Sequence, residues 1–489
     1  MAPRERPYVY YDATISLCSV CLRRVDAKIV FEAGYVWLLK RCPRHGGERV
    51  PLADDVEYYK RAREVFLKPP EQVARYDTSV EFGCPYDCGI CPDHEQHGCN
   101  VVVEITEACN LSCPTCYAES GPQAGPHRPL ETVERMLDAA VRNEGEPDVV
   151  QISGGEPTIH PRFFEILDAA RRRPIRHLMV NTNGIRIAQD PAFAERLATY
   201  CPDFEIYLQF DSLRRPALEV LRGADLRRIR LEALDRLEAL DLSTTLVVTV
   251  RRGVNDDELG RIVDFARGRR CVRGVTFQPV QAAGRLERYD GGYRVDRDRL
   301  TLTEIRRRIL EQTDAFAPED ILPVPCHADN VAMAYAIRRN DTWIPLTGLV
   351  PPEFLLARGR NTIGYENDPE IRKSLFALFS THHSTTSRAA SLSAHLRRTD
   401  GHDVPDLSYR NVFRLLIVEF MDAHNFDLRS IRKSCVHIAH PDGRRLIPFD
   451  VYNLLFRGDR EQRLLPRLRA ERPTGPRAGP ISHLRPVTR

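Results

Sequence analysis

Between residues 101 and 280, short apolar runs rich in β-branched side chains alternate with amphipathic stretches whose apolar positions recur every three or four residues. The runs predict strands over 101–105, 149–153, 177–181, 205–210, 244–250 and 274–279. Between them, 130–141 and 230–240 read as helices. Six such strand-helix repeats predict a parallel sheet with right-handed crossovers. Only six are present, so the expected form is a partial (β/α)6 barrel, an α/β fold whose chemistry lies at the C-terminal ends of its strands. After about residue 285 the alternation stops. There 302–312 and 411–424 read as helices, with Phe413-Arg-Leu-Leu-Ile-Val-Glu-Phe-Met421 as a buried core helix, while 381–387 reads as a polar loop. The segment from Glu471 onward has too little apolar content to fold and is expected to be disordered.

Composition narrows the class. The 489 residues exceed one ordinary core and point to about two to four domains. Lys and Arg number 71 against 68 Asp and Glu, a net charge of +3, which gives no footprint for a nucleic-acid partner. No basic-then-apolar leader opens the chain, and no apolar run reaches the roughly 18 residues of a transmembrane segment, so a soluble, cytoplasmic protein is expected. In that compartment disulfides are rare. Ten of the 14 cysteines crowd into residues 18–116, a density that favours metal binding.

The most specific of these is Cys109-Asn-Leu-Ser-Cys113-Pro-Thr-Cys116, a C-x3-C-x2-C loop directly after the first predicted barrel strand. Three thiolates hold three corners of a [4Fe–4S] cube and leave one iron for another ligand. One strand later comes Gln151-Ile-Ser-Gly-Gly-Glu-Pro-Thr158. There Gly154 and Gly155 permit close backbone approach to a ligand and Glu156 offers an acceptor for an ammonium group. In this order, on consecutive repeats, the two motifs resemble those of the radical S-adenosylmethionine (radical SAM) superfamily, at Cys109, Cys113 and Cys116 and at Gly154, Gly155, Glu156 and Pro157. The resemblance implies the same partial barrel and a cluster that reductively cleaves S-adenosylmethionine to a 5′-deoxyadenosyl radical. It also implies a small electron donor such as flavodoxin or ferredoxin. By the strand-end rule, Asn183 after the third strand and Asp211 after the fourth are candidate cofactor contacts, with ordinary turn chemistry as the alternative. Arg251 and Asn255 have similar standing, and Gln278 to Gln281 are candidates to face substrate.

Two further cysteine groups precede the barrel. Cys84-Pro-Tyr-Asp-Cys88-Gly-Ile-Cys91 repeats the spacing and is followed by Cys99, four thiols that read as a closed, auxiliary [4Fe–4S] cluster, a four-cysteine zinc site being the alternative. His94 and His97 are expected to face solvent. Cys18, Cys21, Cys42 and His45 form two ligand pairs around a β-like stretch, the pattern of a mononuclear zinc or iron ribbon. The domains expected are 1–60, ribbon; 61–100, auxiliary cluster; 101–285, barrel; 286–460, substrate cap; and 461–489, disordered tail. Cys201 and Cys271 are expected to pack as small hydrophobes.

The order of these groups, continued by Phe420-Met-Asp-Ala-His-Asn-Phe-Asp427, Cys435-Val-His437, Pro441-Asp-Gly443 and Pro448-Phe449, looks like the tetraether lipid synthase and class D radical SAM methylase group. That resemblance implies a small-molecule or lipid substrate and either carbon-carbon joining or methyl transfer. A peptide maturase and a non-enzymatic electron carrier are the alternatives. The chain departs from the group's pattern at Asp450, where many relatives are expected to carry cysteine after Pro-Phe, and near Asn330, where a second cysteine can appear. Cys326 and Cys435 alone would leave half a cube without protein ligands, so no third cluster is expected. Asp427, His437 and Asn453 are instead expected as polar contacts in the cap.

Overall fold

A computed structural model describes residues 6–71, 73, 75–339, 342–349, 356 and 411–470. The expected loop at 381–387 and the tail from 471 lie outside the described residues. The chain opens as an antiparallel meander of β1 (Val9–Leu17), β2 (Arg24–Glu32), β3 (Tyr35–Cys42) and β4 (Gly46–Ala53). Ala33 and Gly34, both at positive φ, make the two-residue hairpin turn between β2 and β3. Ala27, Ile29, Val36, Leu38 and Val50 alternate onto one face and pack with Tyr59 of the helix Val56–Glu64.

The barrel follows in chain order. It contains β5 (Asn100–Glu104), the short β6 (Thr115–Cys116), β7 (Val149–Ser153), β8 (His177–Thr182), β9 (Phe204–Gln209), β10 (Thr244–Val250) and β11 (Val272–Pro279). β12 (Arg285–Leu286) returns to pair with β6. The six strands β5 and β7–β11 pair in parallel, as the pattern predicts. Helices such as Leu130–Glu144 and Leu259–Arg267 bury Val133, Met136, Leu137, Ile262 and Val263 against them. Each such side chain contributes about 1.5–3 kcal/mol.

The C-terminal region continues the barrel's own sheet. It supplies β13 (Leu322–Pro323), β14 (Val331–Arg339), β15 (Thr342–Pro345), β16 (Val412–Val418), β17 (Val436–Ala439) and β18 (Leu446–Pro448). β16 adds in parallel beside β11, and β17 adds in parallel beside β5. The sheet order is therefore β13-β14-β16-β11-β10-β9-β8-β7-β5-β17-β18. The expected helix over 411–424 is instead β16. Its Val412, Phe413, Leu415 and Ile417 are all buried, and a short apolar run buried on both faces, interrupted here only by the paired Arg414, reads alike as strand or core helix. The expected tail is also shorter, because Arg460–Ala470 is a helix that buries Leu465 and Leu468, one turn apart. Among the described residues no helix is long and apolar enough to cross a membrane.

Candidate active site and metal centres

In the ribbon, hairpin geometry brings the four ligand candidates together. One ligand atom from each of Cys18, Cys21, Cys42 and His45 lies within 4.8 Å of the others. Cys18 Sγ and Cys42 Sγ are 3.4 and 3.5 Å from His45 Nδ1, and Cys21 Sγ is 3.9 Å from Cys42 Sγ. Burial pushes the Cys42 thiol up, but the backbone N–H groups of Arg44 and His45 and the His45 ring outweigh it and bring the thiol down to about 6.

At the barrel mouth, Cys109, Cys113 and Cys116 line a cavity together with Gly154, Gly155, Glu156 and Asn183. The Gly-Gly turn is zipped to the cysteine loop, Gly155 N donating to Thr106 O (2.9 Å) and Glu156 N to Ala108 O (3.0 Å). A Cβ on Gly154 would lie 2.3 Å from Thr106 O, and one on Gly155 2.2 Å from Ala108 O. These glycines therefore admit the protein's own cysteine loop, whereas the sequence suggested only an approaching ligand. Glu156 likewise has a different task from the open acceptor expected. Its buried carboxylate accepts from Thr158 N and Oγ1, Thr182 Oγ1 and Asn183 N, which ties the ends of β7 and β8 together. Pro157 starts the one-turn helix Pro157–Ile159, capped by Glu156, behind the cavity wall. Asn183 Nδ2 donates to Asn110 Oδ1 (2.7 Å) and so braces the loop directly. Leu111 N points at Cys109 Sγ (3.4 Å). Burial pushes the Cys109 thiol up to about 12 and raises Cys113 as well, so a thiolate there requires a cationic partner.

Asp211 does not face the cavity. It is fully buried at positive φ and bound by Arg222 (2.6 and 2.7 Å), Arg230 (2.7 Å) and Thr249 N, a pairing that outweighs burial and holds it down at about 2. Arg222, which sequence reasoning missed, does line the cavity. Its guanidinium donates to Gln209 Oε1 (3.1 Å) and Thr249 Oγ1 (2.9 Å), and it counteracts the effect of burial on Cys113. Arg251 and Asn255 serve the turn after β10, where Arg251 N donates to Asn255 Oδ1 (2.9 Å) and the guanidinium stacks on Tyr289. Gln278 and Gln281 line the cavity as expected.

The first cysteine loop stands elsewhere. Cys88 and Cys84 pack with Tyr86, Phe426, Ile447 and Tyr452. Asp87 Oδ2 accepts from the N–H groups of Glu81, Phe82 and Gly83. Cys99 does not join this loop. Its sulfur lies within 4.8 Å of those of Cys326 and Cys435, which overturns both its assignment to the first loop and the expectation that Cys326 and Cys435 stand without a third thiol. The spacing after Cys91 suggested otherwise because only the long-range pairing of β5 with β17 carries Cys99 to Cys435. His94 and His97 are buried rather than solvent-facing: His97 Nδ1 is 3.0 Å from Glu144, and His94 Nε2 is 3.1 Å from His437 Nε2. Cys201 is exposed and Cys271 buried. Asp427 pairs with Arg63 (2.8 Å), Asn453 accepts from Arg457 (2.7 Å) and His437 faces His94, so none of the three lines the cavity.

A parallel barrel carrying a three-cysteine loop after its first strand and a Gly-Gly-Glu-Pro turn after its second, both on one cavity, is the architecture of a radical SAM enzyme. The radical SAM superfamily model matches residues 103–266, and the HMPTM N-terminal zinc ribbon model matches 10–54. The 7,8-dihydro-6-hydroxymethylpterin dimethyltransferase of Methanocaldococcus jannaschii is 30% identical over 490 aligned residues, covering 92% of this chain and 95% of the relative. Mycofactocin maturase MftC of Mycobacterium ulcerans is 31% identical, over 35% of this chain and 45% of its own. A solved radical SAM methyltransferase from Sphaerobacter thermophilus superposes with a TM-score of 0.29 at 13% identity, covering 62% of this chain and 74% of its own. The chain belongs to the radical SAM superfamily, in the methyltransferase group, and is an enzyme rather than an electron carrier.

Proposed function

We propose that Cys109, Cys113 and Cys116 hold the [4Fe–4S] cluster, that S-adenosylmethionine lies along Gly154, Gly155 and Asn183, and that the enzyme methylates a flat, polar heterocycle of the reduced pterin class. The donor set supports the first part: three thiols on one loop, with a backbone N–H aimed at Cys109 and a guanidinium beside Cys113. Bound there, the cluster and cofactor supply one-electron chemistry that removes hydrogen from an unactivated carbon. The chain's own part is to position that carbon and keep water away.

The observation that carries the substrate class is the lining of the barrel. Parallel barrels are ordinarily filled by branched apolar side chains. Here Asn100, Gln151, Asn181, Gln209 and Gln278 line the cavity from five of the six parallel barrel strands. They bond one another in part: Asn100 Nδ2 to Gln151 Oε1 (3.3 Å), Gln209 Nε2 to Asn181 Oδ1 (2.8 Å) and Gln278 Nε2 to the Tyr207 hydroxyl (3.2 Å). The side-chain oxygens of Asn100 and Gln281 are buried without a partner. Each such atom costs about 1–3 kcal/mol unless a ligand N–H fills it. A heterocycle rich in N–H donors satisfies them, whereas a hydrocarbon chain end would leave them orphaned. Beside them Arg414 is fixed through one guanidinium nitrogen that donates to both Glu205 oxygens (2.8 and 3.0 Å), a cation that helps hold Glu205 well below the usual carboxylate range against the opposing effect of burial.

The supporting cofactors in this reading are a second cluster at Cys84, Cys88 and Cys91, without Cys99, and a mononuclear zinc at Cys18, Cys21, Cys42 and His45. A flavodoxin or ferredoxin type of donor supplies the electron. The test is to reduce the protein with S-adenosylmethionine, supply a folate-type methylene donor as the source of the added carbon, and offer 6-hydroxymethyl-7,8-dihydropterin or an ether lipid. Mass spectrometry is expected to show a methylated pterin, with Gln281→Leu raising KM more than it lowers kcat. Turnover of the lipid with the pterin untouched would overturn the substrate class.

A further inference from the structure

Three buried thiols come together from widely separated segments. Cys99 directly precedes β5, Cys326 sits in the one-turn helix Pro325–His327 between β13 and β14, and Cys435 directly precedes β17. β13 and β14 lie at one end of the long sheet, and β17 lies next to its other end. Yet Cys326 Sγ and Cys435 Sγ, 109 positions apart in sequence, are 3.6 Å from each other, and Cys99 Sγ is within 4.8 Å of both. That separation is far beyond a disulfide bond of about 2.05 Å. It matches the roughly 3.8 Å between sulfurs that share one tetrahedral ion at 2.3 Å.

The ribbon provides an internal standard. Its ligand contacts run from 3.4 to 3.9 Å, and among the described residues it is the only other set of three or more ligand atoms gathered within 4.8 Å. In a cube each thiolate holds a different iron, so its ligands stand further apart than those of one ion.

A fourth donor stands beside Cys99, outside the group of three sulfurs that lie within 4.8 Å of one another, and a small shift would bring it in. His97 Nδ1 lies 3.0 Å from Glu144 Oε2, and Gly98 N fixes the other oxygen of that buried carboxylate at 2.7 Å. A carboxylate on Nδ1 keeps the proton there and leaves Nε2 as the metal-facing nitrogen, the arrangement found behind metal-bound histidines. His97 Nε2 is 3.7 Å from Cys99 Sγ and 3.7 Å from a carboxylate oxygen of Glu71. We propose that Cys99, Cys326, Cys435 and His97 hold a single zinc ion, a second mononuclear centre distinct from the ribbon. With three thiolates and one imidazole the site is closed and structural. It clasps the two ends of the open sheet across the wall where Cys435 meets the cavity.

The test is metal analysis of the anaerobically purified full chain. Wild type is expected to carry about two zinc ions per chain, and Cys326→Ser with Cys435→Ser to lose about one of them with iron unchanged. Loss of about four irons instead, or loss of no metal, would overturn the proposal. Because the double variant could fail to fold, X-ray absorption at the zinc edge on the Cys18→Ser, Cys42→Ser protein isolates the second site. The expected shell is about three sulfurs and one nitrogen. An absence of zinc, or a shell without sulfur, would overturn it.

Discussion

The loops Cys84–Cys91 and Cys109–Cys116 have the same C-x3-C-x2-C spacing and opposite surroundings. The later one lines the cavity, zipped to a glycine turn that tolerates no Cβ and flanked by Arg222. The earlier one is packed among Tyr86, Phe426, Ile447 and Tyr452 and is held by carboxylates, Asp87 within the loop and Asp77 before it. Spacing sets a triangle of sulfurs; what the open corner faces decides whether the triangle does chemistry. Phe449 and Val102, which pack in the same apolar cluster as Cys88 and also line the cavity, link the two.

The largest test separates them outright. Replacing Cys109, Cys113 and Cys116 by Ala should remove about four irons and all formation of 5′-deoxyadenosine. Replacing Cys84, Cys88 and Cys91 should remove a similar amount of iron while cleavage of S-adenosylmethionine survives and product is lost. Cleavage retained in the first variant and lost in the second would reverse the two roles.

Next in size is Asp211→Asn, which acts on the later loop through Arg222. Removing this carboxylate leaves two buried guanidinium groups short of their partner, a loss of about 3–5 kcal/mol in denaturant unfolding. Since the folded group sits at about 2, below its unfolded value, its stabilisation is complete above about pH 4 and is lost as pH falls through 2. The Asn variant should lack that acid-side slope. An unchanged slope would show that Asp211 is not what links Arg222 to the barrel.

Much of this was legible in sequence, and the remainder has a common physical reason. The six barrel strands, the cysteine loop and the ribbon ligands depend on alternation and short spacing, which are local. Cys99, Cys326 and Cys435 meet only because β17 pairs with β5 and β14 with β16, contacts between distant segments that no local spacing encodes. Arg222 was hidden for the same reason. Its place at the end of the helix Arg215–Arg222 reads as an ordinary basic C-terminus, and only the fold aims it at Cys113. Asp211 was misread because a strand-end carboxylate looks like a ligand contact until its two arginines are seen.

A gentler perturbation of the later loop is Gly155→Ala. Its Cβ would meet backbone at 2.2 Å, so the cysteine loop itself must shift, at a cost of about 1–3 kcal/mol. Iron should be lost from that loop alone. In the Cys84, Cys88, Cys91 variant background, where only the later cluster remains, electron paramagnetic resonance should show its signal altered on addition of Gly155→Ala. An unaltered signal would mean that the glycine serves the cofactor and not the loop.

The smallest effect is expected at Asp77, the counterpart on the earlier loop. Its carboxylate accepts from Ile90 N (2.9 Å), beside Cys91, and from Leu446 N (2.8 Å), the first residue of β18, so it pins the loop to the edge of the sheet. Burial pushes this carboxyl up to about 6 despite those donors. A raised folded value means that the native state binds a proton more readily than the unfolded chain, so the group's contribution to stability falls as pH rises from about 4 to 6. Asp77→Asn keeps one acceptor oxygen and loses the titration. It should cost about 1 kcal/mol at acidic pH, where the native carboxyl is protonated, and less or nothing above pH 6. Cleavage of S-adenosylmethionine should be unchanged throughout, because the loop it braces is not the one that lines the cavity with Gly154 and Gly155. Chemical denaturation of both proteins at pH 5 and pH 7.5 would measure this, and an Asn variant that loses more stability at pH 7.5 than at pH 5 would contradict it.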